Sequence, residues 1–259
     1  MVIEKLGHEI RNVEQWLELA PPKKGLEQWV DGRSALECAR SWCAGGLGPQ
    51  CPSELAALLA SHPDTQDATL TSAEPECRIH FDKLGGEPRN ADLAVIAAHP
   101  AGRLAINIEA KADETFGDLV RDVLQASVKK IANDERTNSV IRVQQLGSAI
   151  LPPPTNARVH LGDLRYQLLT GIAGTIAFAV KVQASCAIFI VHEFVTTRTD
   201  DSKHQANALD LNLFVARLTN GRLRSLPSGN LRGPFIVPGA DLFPVPPPLY
   251  IGKAVRNLR

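Results

Sequence analysis

Asn90-Ala91-Asp92-Leu93-Ala94-Val95-Ile96-Ala97-Ala98-His99-Pro100-Ala101-Gly102-Arg103-Leu104-Ala105-Ile106-Asn107-Ile108-Glu109-Ala110-Lys111 reads as a β-hairpin. Two strand-like runs, 92–98 and 104–111, flank His99 to Gly102, where Pro and Gly predict a hairpin loop. Pairing Ala98 with Arg103 sets the register. Leu93 then meets Ile108, Val95 meets Ile106 and Ala97 meets Leu104, so one face is wholly apolar and belongs against a core. The other face carries Asp92, Ala94, Ile96, Asn107, Glu109 and Lys111. In this register Asp92 stands directly opposite Glu109.

Two carboxylates so placed repel each other. A divalent cation would hold them, since a hard cation such as Mg²⁺ takes carboxylate oxygens at about 2.0–2.1 Å. The Lys111 ammonium beside them would help. A metal in that position polarises a phosphoryl group and lowers the pKa of a bound water, while the lysine orients that water or stabilises developing charge. These residue types therefore point to phosphodiester hydrolysis. The competing reading is a half-exposed hairpin with a solvated outer face, on which Lys111 merely neutralises the acids.

Outward from the hairpin, the first 62 residues read as helical. Val13, Trp16, Leu17 and Ala20 recur at helical spacing. Ser34 is placed to cap a helix over 35–42 that Gly45-Gly46 would end, and Ser53 caps a third, with Glu54 in its first turn. Residues 78–81 read as a strand. Residues 117–134 read as an amphipathic helix with Leu119, Val123, Leu124, Val128 and Ile131 on one face, and 162–181 as a core helix apolar nearly all round. Ala187 to Val195 reads as a strand covered on both faces. A helix over 206–218 and short edge strands at 235–237 and 249–251 complete the order. The fold class is α/β, a mixed central sheet between helices.

Asp92, a gap of 16 residues and then Glu109-Ala110-Lys111 resembles the PD-(D/E)XK nucleases of restriction-endonuclease-like fold. Ala91 stands where the motif's name has proline. The family core is α-β-β-β-α-β, and 34–195 fits it with one helical insertion. The resemblance implies a helical N-terminal extension (1–33), a nuclease core (34–200) and a basic C-terminal helix with short strands packed on it (201–259). It implies that Asp92 and Glu109 bind Mg²⁺, with Mn²⁺ as a substitute, that the Ala110 carbonyl is a further ligand, and that Lys111 is the catalytic lysine. Glu37, on the first helix, matches a glutamate that several members place at the metal. The implied activity is metal-dependent hydrolysis of phosphodiester bonds, in DNA ahead of RNA. Two copies would be needed for symmetric double-strand cuts. The alternative is a non-catalytic nucleic-acid-binding or interaction module on the same fold.

Composition sets the frame for these readings. With 44% apolar and 22% charged residues in 259, the chain is an ordinary globular one, not a disordered, collagenous or coiled-coil one. No signal peptide or membrane span is expected. An odd number of cysteines, five, points to reduced thiols in the cytoplasm. Net charge is zero, yet residues 211–259 hold seven basic residues and one acid. Such a tail is either a footprint for a polyanion or a segment that packs on the acidic body and neutralises it.

Four further features carry weaker signals. Glu114 either reaches the site or starts the next helix. Tyr166 and Gln167 open the apolar helix; RecB-like nucleases carry Gln-x-x-x-Tyr there, but Gln167 is followed four residues on by Gly171. Arg165 is a phosphate contact or a surface charge. Cys43, Cys51, Cys77 and His80 are too irregularly spaced for a structural zinc site and read better as core filling.

Overall fold

The computed structural model describes residues 1–43, 48–155 and 159–259. In chain order the elements are β1 (Val2–Lys5), β2 (His8–Glu9), α1 (Val13–Leu19), α2 (Ser34–Cys43), α3 (Ser53–Ala60), β3 (Thr69–Ile79), β4 (Arg89–His99) and β5 (Gly102–Lys111). There follow α4 (Val120–Ala132), α5 (Ser139–Ile150), α6 (Tyr166–Lys181), β6 (Cys186–Val195), α7 (Asp201–Leu218), β7 (Asn230–Phe235) and β8 (Leu249–Asn257). The strands form one mixed eight-stranded sheet, ordered β2-β1-β3-β4-β5-β6-β8-β7. β3, β4 and β5 are antiparallel neighbours, while β5, β6 and β8 run parallel.

The β4–β5 hairpin has the expected register, from His99↔Gly102 to Leu93↔Ile108, around the two-residue turn Pro100-Ala101. Leu93, Val95, Ala97, Leu104, Ile106 and Ile108 pack with Trp16, Trp42 and Leu58 of α1, α2 and α3. The opposite face is buried as well. Ala94 and Ala105 meet α6, whose Leu168, Leu169, Ile172 and Ala173 lie in the second core. Gly171 brings α6 close to the sheet: a Cβ there would come within 2.9 Å of the Phe189 ring on β6. That close approach carries the start of α6, and with it Gln167, to the end of β5. β6 is buried along nearly its whole length, as its unbroken apolar run requires.

Several expectations need correction. The N-terminal segment is not wholly helical: β1 pairs in parallel with β3 and carries β2 on its outer edge. β3 begins at Thr69, because a ladder to β4 satisfies its backbone despite a weakly apolar sequence containing Pro75. β8 is no short edge strand; its nine residues lie between β6 and β7 inside the sheet. A further helix, α5, precedes α6. On α4, Val120 and Ser127 are buried, whereas Val128 and Ile131 are more than half exposed, so the buried face differs from the expected one. The expected stop at Gly45-Gly46 lies outside the described residues.

All five cysteines are free thiols. Among the described residues no helix is long and apolar enough to cross a membrane. The basic tail is neutralised in part, at three of its seven basic residues. Lys253 pairs with Glu193 (2.7 Å), Arg256 with Glu54 (3.3 Å) and Arg259 with Asp201 (2.5 Å), while Arg217 donates to the carbonyl of Pro152.

Candidate active site

The simple alternation of the sheet breaks at one place. On β3, Ala73 packs on the α1–α3 side, whereas Cys77 and Ile79 pack on the α6 side. On β4, Leu93 packs on the first side and Ala91 on the second. Both strands therefore change phase together, so their mutual register is kept. The cause lies at Glu76, a non-glycine residue at φ +47° inside a strand, a left-handed conformation that costs about 1–2 kcal/mol. Glu76 stands between the pairs Pro75↔Leu93 and Cys77↔Ala91, and so opposite Asp92.

This phase change alters how Asp92 meets Glu109. The β4–β5 ladder stops at Leu93↔Ile108, one pair short of the two acids. In place of a backbone partner, Asp92 Oδ2 accepts the N–H of Ala110 at 2.7 Å. A strand residue sends its N–H and C=O to the same side, so the Ala110 carbonyl also faces the gap. Asp92 enters this gap from a cleft on the α2 side, and Glu109 lies on the α6 side. Three acids on three adjacent strands, Glu76, Asp92 and Glu109, thus line up across the fork.

Glu109 and Lys111 are buried, at 2% and 6% exposure. Glu109 Oε1 accepts from Gln167 Nε2 (2.6 Å) and lies 3.0 Å from Lys111 Nζ, while its Oε2 is ion-paired with the Arg89 guanidinium. Lys111 Nζ also donates to Gln167 Oε1 (3.1 Å) and sits over the Phe116 ring. The Gln167 amide therefore holds the acid and the amine together.

These environments push the three carboxyls apart. Burial, then the nearby charges of Glu109 and Glu76, raise the Asp92 carboxyl well above its ordinary range. Burial also opposes ionisation of Glu109, but Arg89 and Lys111 together outweigh it and hold that carboxyl below its ordinary value. Burial is the main cause that lifts Glu76 to about 7; Asn90 and Lys5 oppose the shift, and Glu109 adds to it.

A raised carboxyl weighs against the folded state above its folded pKa and not below its unfolded one. Glu76 therefore costs stability as pH rises from about 4.5 through about 7. Relative to the wild type, Glu76→Gln will gain stability between pH 5 and pH 8. The gain should be about 1–2 kcal/mol, less than the full shift implies because Glu76 lines a cleft. Urea unfolding at the two pH values measures it; an equal difference at both would refute the assignment.

The structure brings together Asp92, Glu109, Ala110 and Lys111, and joins Gln167 to them. It does not bring in Glu37, whose carboxylate accepts from the Gly32 N–H (2.9 Å) and from Arg40 (2.7 Å) at the start of α2. Glu114 accepts from Ser34 and from the N–H of Ala112, bracing the loop after β5. Arg165 pairs with Asp210, and the Tyr166 hydroxyl lies beside Arg142. Cys77 donates to Glu74 instead of joining the other cysteines. Sequence reasoning passed over Glu76, Arg89 and Asn90. Only the β3–β4 register, which places an acid opposite Asp92, could have pointed to Glu76.

Asp92 and Asn90 line a cleft of about 140 Å³ beneath Trp29, Gln28 and Lys23. The opposing charges around Glu109 are already paired. Among the described residues, no three His, Cys, Asp or Glu side chains are grouped closely enough to hold a metal ion.

No curated protein and no solved structure matches the chain. A family model does, over residues 9–245: a domain of unknown function, DUF6946. That span takes in β3 to β6 with every residue of the carboxylate fork, and the chain belongs to the DUF6946 family.

Proposed function

We propose that the chain is a metal-dependent nuclease of the PD-(D/E)XK kind, hydrolysing phosphodiester bonds in DNA. One observation carries this reading: Asp92 sits in the fork where β4 and β5 part, beside Glu109-Ala110-Lys111, with Gln167 bonded to both Glu109 and Lys111. The order α2-β3-β4-β5, then α6 and a parallel β6, supports it, since it follows the α-β-β-β-α-β core with α4 and α5 inserted.

The donor set fits a hard cation. Asp92, Glu109 and the Ala110 carbonyl all offer oxygen, which suits Mg²⁺ or Mn²⁺ over a thiophilic ion. A bound cation would favour the ionised form of Asp92, which burial and the nearby carboxylates disfavour in its absence. Once bound, it would polarise the phosphoryl group and lower the pKa of a water. To admit it, Arg89 must release Glu109 Oε2. Lys111 is held by Glu109 and Gln167 so that its ammonium can orient water or stabilise charge on the phosphoryl oxygens. Gln167 is a positioning residue. Glu37 is left out of this set: the cleft at Asp92 is lined by Ser34, Ala35 and Cys38 of its helix and not by Glu37, whose Oε1 accepts from Gly32 and Arg40.

Mg²⁺ at about a hundredfold over its Kd will raise the Tm of the wild type by about 5–10 °C, and will leave that of Asp92→Asn unmoved. Scanning calorimetry with and without the ion decides this; equal shifts in both proteins, or none in the wild type, would remove the metal.

A second reading, a non-catalytic nucleic-acid-binding module, has one observation in its favour. Arg89 and Lys111 already neutralise Glu109 without any ion. It requires DNA binding that survives Asp92→Asn and no cleavage by either protein.

A further inference from the structure

The cleft that ends at Asp92 is small and walled. Its volume is about 140 Å³, and a cavity of about 150 Å³ takes one benzene ring. That is the scale of one aromatic ring system and well short of a base pair. One wall comes from the segment between α1 and α2, with the half-buried Trp29 and the exposed Lys23 and Gln28. The other comes from the start of β4, with Asn90 and Asp92. Trp29 supplies an aromatic surface; Asn90 Nδ2 is taken by Glu76 and Gln28 Oε1 by the Lys24 N–H, which leaves the Gln28 amide donor and the Asn90 side-chain carbonyl to meet a base edge.

The cleft continues outward. Lys23, Glu76 and Asn90 also border a neighbouring compartment of about 330 Å³, where Arg78 adds positive charge and Lys5 is already paired with Glu74 (2.9 Å). Across its mouth Lys23 pairs with Glu87, both side chains 75% exposed, so the link is weak and easily exchanged for a phosphate.

We propose that the inner cleft is a pocket for one unpaired nucleobase, and that the site takes single-stranded DNA, whose backbone runs outward past Lys23 and Arg78. A paired base cannot enter; a base within a duplex would first have to leave its stack at a cost of a few kcal/mol. The inference rests on the nuclease reading for its chemistry, but its test measures binding alone.

In EDTA, which silences cleavage, a fluorescein-labelled oligothymidylate and a blunt duplex of two annealed strands with equal total charge are titrated with the protein. The single strand will bind at least about tenfold more tightly than the duplex. Trp29→Ala will weaken strand binding by about tenfold, and Trp29→Phe will restore most of it. Equal affinity for strand and duplex, or unchanged affinity in Trp29→Ala, overturns the proposal. Should Trp29→Ala fail to fold, Gln28→Ala and Lys23→Glu carry the test at exposed positions; unchanged strand affinity in both overturns it too. Tight strand binding with no Mg²⁺-dependent cutting would remove the nuclease reading and leave this one. Cutting of closed duplex with no strand preference would do the reverse.

Discussion

Wild-type protein incubated with Mg²⁺ and a mixture of single-stranded and plasmid DNA will cut the DNA, and Lys111→Met will cut it at least about a hundredfold more slowly. Methionine keeps most of the length and apolar contact of the lysine stem, so the space beneath Phe116 stays filled. Glu109 keeps Arg89 and Gln167 as partners and is not left as a bare buried charge. What disappears is the one ammonium held beside the fork by both Glu109 and Gln167. A group that acts on developing charge contributes in the transition state and little in substrate binding, so the loss belongs in kcat and not in KM. Initial rates give the comparison, with far-UV circular dichroism and melting as controls for the fold. Equal rates in the two proteins would mean that the lysine is structural. Intact DNA with the wild type under broad conditions would leave the non-catalytic reading.

The part of this site that was legible in the sequence is the part governed by strict period two. Leu93, Val95, Ala97, Leu104, Ile106 and Ile108 can be buried together in one register only, so the hairpin followed from the turn and the alternation. α6 and β6 were legible for a related reason: long apolar runs have nowhere to go but the interior. The facing of Asp92 and Glu109 was not legible. It depended on alternation continuing one residue further, and the phase change at Glu76 intervenes just there. A left-handed glutamate leaves no trace in a hydrophobic pattern. The charge partners escaped for another reason. Arg89 lies 20 residues from Glu109 and Gln167 lies 58, and only the packing of α6 on the sheet joins them. Glu37 was suggested by resemblance alone; local geometry gives its carboxylate the Gly32 N–H and Arg40 instead. α5, in contrast, shows Val143, Leu146 and Ile150 at helical spacing, a signal present and passed over.

Glu109→Ala will be the most destabilising single change in the cluster, and Mg²⁺ will not repair it. Arg89 and Lys111 are both largely buried, at 14% and 7% side-chain exposure, and both take their charge partner from Glu109. Removing the carboxylate leaves two buried cations without their acid and the Gln167 Nε2 donor without its acceptor. Breaking a buried pair in this way costs about 3–5 kcal/mol, which for a chain of this size is roughly 10 °C in Tm. Arg89→Met will cost less in EDTA, because Lys111 still balances Glu109 at 3.0 Å and the methionine stem keeps the packing that Arg89 makes against Gly174 of α6. The two variants part company when Mg²⁺ is added. If the guanidinium stands where a cation would otherwise neutralise Glu109 and Asp92, the ion will restore the Arg89→Met variant to the stability of the wild type, or above it. Glu109→Ala, lacking the second carboxylate, will gain nothing. Melting curves of the three proteins, in EDTA and in Mg²⁺, make the comparison. If Mg²⁺ acts alike on both variants, the arginine is a plain structural partner and the fork has no use for an ion. If it repairs only Arg89→Met, the ion pair in the free protein marks the position the metal takes.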